Sequence, residues 1–94
     1  MRVAKVIGNI WATRKEDRLA GLKLLLVKPV HVLDDAVDPE PLVAADTIGA
    51  GVGETVIIVG GSSARSATGD MNIPVDATVV GIVDDLEIDK SVLE

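Results

Sequence analysis

Residues 46–67 read DTIGAGVGETVIIVGGSSARSA, and the fold is decided here. At the centre lies a β-branched run, Thr55-Val56-Ile57-Ile58-Val59. Such side chains are stiff at χ1 and pack well on a pleated surface, so the run predicts a strand over about residues 54–60. Glycines at 49, 51 and 53 precede it. They let the backbone entering the strand take positive φ or approach another chain closely. After the strand, Gly60-Gly61 opens onto Ser62-Ser63-Ala64-Arg65, and residues 62–68 have room for two helical turns. Ser62 or Ser63 suits the N-cap, accepting hydrogen bonds from otherwise unpaired amides, and Gly69 suits the C-terminal stop.

Outward from this core, residues 2–13 read as a first strand. Val3, Ile7 and Trp11 share one face with Lys5 and Asn9, while Ala4, Val6, Ile10 and Ala12 share the other with Gly8. A charged connection, 14–21, leads to a second strand at 22–32, in which Leu22, Leu24 and Leu26 oppose Lys23, Leu25 and Val27. Residues 34–41, with Pro39 and Pro41 among four acidic residues, form a surface loop. Short runs at 43–46 and 77–83 complete five strands, and Leu86 and Ile88 alternating with Glu87 and Asp89 predict an added edge strand in the tail. No repeat or linker interrupts the chain, so residues 1–94 read as one domain.

Five short strands with one small helix before the last predict a mainly β fold, a small five-stranded OB-like barrel with one short α-helix, since closure removes exposed edges. Such a barrel fills one face of each strand inward. The opposite face is also apolar here, so Leu25, Val27, Val56, Ile58, Val80 or their register partners would form a large exposed patch. Patches of that kind mark protein interfaces, which predicts an obligate homo-oligomer.

Composition narrows the function. Trp11 is the sole aromatic, and 15 Val with 8 Ile build the core from aliphatics. The formal charge of -6 argues against a nucleic-acid binder, whose affinity comes from Lys and Arg on phosphates. Charge is unevenly placed: residues 1–28 hold seven Lys/Arg against two Asp/Glu, and residues 29–94 hold two against thirteen. In a symmetric assembly this separates basic from acidic surfaces. The chain has no cysteine, no signal-like apolar core at its start and no run approaching the roughly 20 apolar residues that cross a bilayer, so the expectation is a soluble intracellular protein without membrane contact.

Competing chemistry fails residue by residue. Gly49-Ala50-Gly51-Val52-Gly53-Glu54 has Glu where a dinucleotide fingerprint ends in Gly, and it leads into a strand instead of a helix. Gly60-Gly61-Ser62-Ser63-Ala64 lacks both the second glycine of a nucleophile elbow and the Gly-Lys of a phosphate loop. His31 is the single histidine, too few for a structural zinc site, and Asp34, Asp35, Asp38 and Glu40 lack calcium-loop spacing. No catalytic residue, cofactor or metal is expected.

Three ordered motifs carry a family resemblance: AKVIGNIWATRKEDRLAGLKLLLV at 4–27, ADTIGAGVGETVIIVGGSSAR at 45–65 and PVDATVVGIVD at 74–84. Together they resemble the microcompartment vertex proteins of the EutN/CcmL family, over roughly residues 1–84, with the acidic loop and the tail outside the likeness. The resemblance implies a barrel subunit assembling as a homopentamer that caps five-fold vertices of a bacterial microcompartment shell, a cytoplasmic organelle, beside hexameric shell proteins. It implies no reaction of its own. On this view Gly49, Ala50, Gly51, Gly53, Glu54, Ser62, Ser63 and Arg65 shape the ring interior, a narrow anion-favouring pore or the subunit contacts, with Asp46, Glu54 or Asp76 as partners for Arg65 across an interface. The alternative is an OB-fold-like oligonucleotide-binding protein, which the single Trp and the acidic balance disfavour.

Overall fold

The strands form close to where the alternating aliphatic runs place them: β1 Arg2–Ile10, β2 Lys23–Pro29, β3 Leu42–Asp46, β4 Thr55–Gly60 and β5 Ala77–Val83. One helix, α1 Gly61–Thr68, joins β4 to β5. This computed structural model describes residues 1–12, 15–30 and 39–93. His31 and residues 34–38 of the predicted acidic loop lie outside them. The strands close into a barrel in the order β1-β2-β3-β5-β4, with β4 pairing back onto β1. All pairs are antiparallel except β3 with β5, a parallel seam held at Ala45↔Thr78 and Asp46↔Val79. The expected OB-like barrel with one short helix is what forms.

The period of two sorts each strand between two apolar clusters. Inside the barrel lie Ala4, Val6, Leu25, Val27, Val56 and Val79, with Ala50 entering from the loop before β4. Small aliphatics suit a five-stranded interior, which has no room for rings. Outside the wall, α1 and the segment after it cover part of β2, β3 and β4. Ala64, Ile73 and Val75 pack there on Ala45, Leu24 and Val59. Thr78, fully buried beneath the helix, donates its hydroxyl to the Ala64 carbonyl at 2.8 Å.

Local differences from the sequence expectation have physical causes. Gly60 is the N-cap of α1 and no side chain caps the helix. Strand β4 runs directly into the helix, so Ser62 and Ser63 fall inside the first turn, where they are exposed and not capping. Gly69 does close α1, at φ 87. The tail adds no strand, because β5 is already flanked by β3 and β4 and offers no edge. Asp89 instead accepts from the Ser91 amide and hydroxyl, at 3.0 and 2.6 Å, and opens a 3₁₀ turn at Lys90–Leu93. A second 3₁₀ turn, Asp17–Leu19, lies in the charged connection, where Arg18 bonds the Asn72 carbonyl at 2.9 Å.

Candidate functional site

The loop before β4 is a closely hydrogen-bonded turn organised by one carboxylate. Asp46 has a fully buried side chain at the end of β3. Its Oδ1 accepts from the amides of Ile48 (3.0 Å) and Gly49 (3.1 Å), and its Oδ2 from that of Ala50 (2.8 Å). Lys23 on β2 braces the same turn, donating from Nζ to the Ala50 carbonyl at 2.8 Å and lying 3.9 Å from Asp46 Oδ2. Glu54 Oε1 then takes the Gly51 amide at 2.6 Å. Gly49 and Gly53 hold φ of 88° and 93°, the left-handed region that glycine adopts without strain. Finally, Gly53 donates to the Val6 carbonyl (2.8 Å) and Val6 to that of Glu54 (2.9 Å), stitching the loop to β1.

The other candidate segment lies elsewhere. Ser62 and Ser63 are exposed on the first turn of α1, and Arg65 is half-buried one turn on. Strand β4 separates the two groups, and its six residues at roughly 3.3 Å each keep them about 20 Å apart, at opposite ends of the barrel. They therefore do not converge within one subunit. Ala50 is buried in the core, whereas Val52 and Ile48, which sequence reasoning passed over, expose the apolar tip of its loop at 58% and 45%. The sequence offers Asp46 as a partner for Arg65 across an interface. Buried and already accepting three amides, it serves its own loop, whereas Glu54 is half-buried and bonds the Gly51 amide through Oε1. Asp followed three residues later by Gly is the local signal that points to such a turn.

The barrel wall beyond α1 is bare and apolar. Ile7 on β1 and Val43 on β3 are 43% and 45% exposed, and Val80 and Ile82 on β5 are nearly as open. These are the outward register partners of strands whose other faces fill the core. Among the described residues no three His, Asp or Glu side chains gather to hold a metal, and no helix is long and apolar enough to cross a membrane. A groove of about 190 Å³ between Leu24, Val43 and Val75 is shallow and apolar.

Known proteins are similar to this chain in sequence and in fold. A carboxysome shell vertex protein CcmL of Gloeobacter violaceus is 39% identical over 92 residues, covering 96% of this chain and 89% of that protein. The bacterial microcompartment shell vertex protein PduN of Salmonella typhimurium is 46% identical over 90 residues, covering 92% of this chain and 98% of its own. Among solved structures, the GrpN pentameric microcompartment shell protein of Rhodospirillum rubrum superposes with a TM-score of 0.77 at 43% identity, over 95% of this chain and 100% of that one. The family described as ethanolamine utilisation protein EutN/carboxysome matches residues 1–84 without interruption, and the chain belongs to that EutN/CcmL family.

Proposed function

We propose that this protein is a structural subunit of a bacterial microcompartment shell, assembled as a homopentamer at the five-fold vertices. The observation that carries this reading is the barrel wall, apolar on both sides: Val6, Leu25 and Val56 fill the interior while Ile7, Val43 and Ile82 remain outside and open. Complete burial of such a side chain contributes about 1.5–3 kcal/mol, so covering the exposed halves favours association repeatedly around a ring. The family membership and the pentameric relative support five copies in particular. The work done is geometric. A sheet of hexagonal tiles is flat, and a pentagonal tile inserted among hexameric shell proteins introduces the curvature that closes it.

In this reading residues 1–94 act as one unit without catalysis, cofactor, metal, membrane or nucleic acid. The rigid loop at Gly49, Gly51, Gly53 and Glu54 supplies a fixed subunit contact. Ser62, Ser63 and Arg65, about 20 Å away, serve a second contact or the ring's opposite opening. Native mass spectrometry across a dilution series tests the proposal: a five-subunit mass that persists on dilution is expected, and a well-folded single chain would overturn it. Co-production with a hexameric shell protein should then yield closed particles, and titration with single-stranded DNA at varied salt should give no binding.

A further inference from the structure

The chain's one aromatic side chain is not in the core. Trp11 emerges just past the end of β1 and is 88% exposed. Beside it runs a groove of about 390 Å³ between the end of β1 and the start of β2, floored by Ile10, Leu22 and Leu24. Its rim is basic. Lys15 reaches across it to the Leu22 carbonyl at 3.4 Å, and the stem of Lys23 lines it. A large exposed apolar side chain beside a groove is the kind of anchor that dominates interface energetics.

The C-terminal segment has the complementary character. Beyond β5 the chain carries Leu86 (52% exposed), Ile88 (39%) and Val92 (76%) interleaved with Asp84, Asp85, Glu87 and Asp89, against one Lys90. None of these residues lines the subunit's own Trp11 groove. Topology accounts for this: β5 neighbours β3 and β4, so its tail leaves from the side of the barrel opposite the β1–β2 groove. Because β1 and β5 both run antiparallel to β4, they point the same way, and tail and groove lie at the same end. Opposite sides at one level are what a heterologous ring contact requires, since a rotation brings one side of each copy against the other side of the next.

The geometry points to the segment from Asp84 to Val92 docking in the Trp11 groove of the adjacent copy, with Leu86 and Ile88 against Trp11 and Leu22 and the acidic residues toward Lys15. Reach is sufficient. Six extended residues, 84–89, span about 20 Å and the 3₁₀ turn that follows adds about 6 Å, together more than the 24 × 23 Å cross-section of a subunit. The occupant is a second copy of this chain, so the inference rests on the ring reading above. It adds an arm that straps neighbours together at a surface where the chain is otherwise basic.

The single Trp makes the contact directly readable by fluorescence on the full-length ring. Trp11 emission should be that of a buried indole, poorly quenched by acrylamide. The double substitution Leu86→Ser with Ile88→Ser should shift it to longer wavelength and raise quenching, with the β-rich circular dichroism unchanged. Co-producing that variant with full-length Trp11→Ala chains, whose tails are intact, should restore the short-wavelength emission in mixed rings, because only a neighbour's tail can then cover a Trp. An exposed Trp11 in the native ring, or a buried one indifferent to the tail substitutions, overturns the docking while leaving the ring intact. Failure of mixed rings to recover also overturns it. A monomeric mass by native mass spectrometry would remove the ring itself, and that outcome is distinguishable from the others.

Discussion

Replacing Asp46 by Asn changes one atom and tests whether a single carboxylate sets the shape of the loop before β4. The side chain is isosteric, but where Oδ2 accepted the Ala50 amide at 2.8 Å an amide nitrogen now faces another donor, with Lys23 Nζ close by. If the amide flips, Ala50 is satisfied and the Ile48 and Gly49 amides lose their acceptor instead. A hydrogen bond to a charged group contributes about 1.5–3 kcal/mol, and the buried Ala50 amide has no access to water, so a loss of about 2–3 kcal/mol is expected for Asn. Ala removes both acceptor oxygens and so all three hydrogen bonds. Ile48 and Gly49 are exposed enough to recover water, which holds its cost to about 3–5 kcal/mol. A domain of 94 residues has a total stability of roughly 5–14 kcal/mol, so either effect is measurable. Urea unfolding at fixed protein concentration reads it as a lowered midpoint with unchanged slope, and amide exchange at Ala50 should accelerate in step. An Asn variant with native midpoint and native Ala50 exchange would refute the assignment of the loop's rigidity to Asp46.

Thr78→Val should lower stability by about 0.5–1.5 kcal/mol, because the buried Ala64 carbonyl loses its donor, and thermal melting should register about 4–8 °C per kcal/mol. Gly69→Ala forces a Cβ onto a residue at φ 87 and should cost about 1–2 kcal/mol in the same assay, even though open space surrounds the new methyl. The Arg18 side-chain hydrogen bond holds Glu16 below the usual carboxylate range. Since its folded pKa lies below the unfolded one, the contribution of this contact is present at neutral pH and lost as pH falls through the folded value. A carboxylate NMR titration should place Glu16 lower than a free Glu, and the Leu19 amide should lose protection relative to its intrinsic exchange rate on acidification. Arg65→Ala should leave the subunit's melting nearly unchanged but dissociate the ring at low concentration, and an undiminished oligomer mass would count against an interface role for Arg65.

The fold was legible because its grammar is local. A β-branched run of the length found at 55–59 permits little but a strand, and with four further aliphatic runs of strand length it leaves closure with outer association as the consistent solution. What escaped reading depends on where neighbours lie in space. Whether Ser62 caps α1 turns on how few residues separate strand from helix. Whether Leu86 and Ile88 extend the sheet turns on whether β5 retains an edge, which only the closed order of strands determines. Trp11, at a strand-like spacing from Ile7, looked like one more strand residue, yet β1 ends at Ile10 and the ring projects into solvent. Asp46 carried a turn signal that its buried position turns into a structural centre.

The division of the barrel surface bears on why the ring closes. One sector is sealed within the subunit by α1 and the residues after it, whose Ala64, Ile73 and Val75 cover the wall near Ala45 and Val59. The bare remainder exposes Ile7 on β1, Val43 on β3 and Val80 and Ile82 on β5, so the β1 and β5 flanks differ. Contact of one flank with the other flank of the next copy is heterologous, and such contacts give either a closed ring or an open filament depending on one rotation. That rotation is fixed only if the two flanks keep a constant angle within the subunit. The parallel seam of β3 with β5 is short, two residue pairs, and would be the natural place for the barrel to flex. Asp46 sits in that seam, paired with Val79, while its carboxylate and Lys23 clamp the adjoining loop. The same carboxylate that stabilises the subunit therefore also stiffens the angle between its flanks, and weakening it should broaden the distribution of assembly sizes before it unfolds the chain.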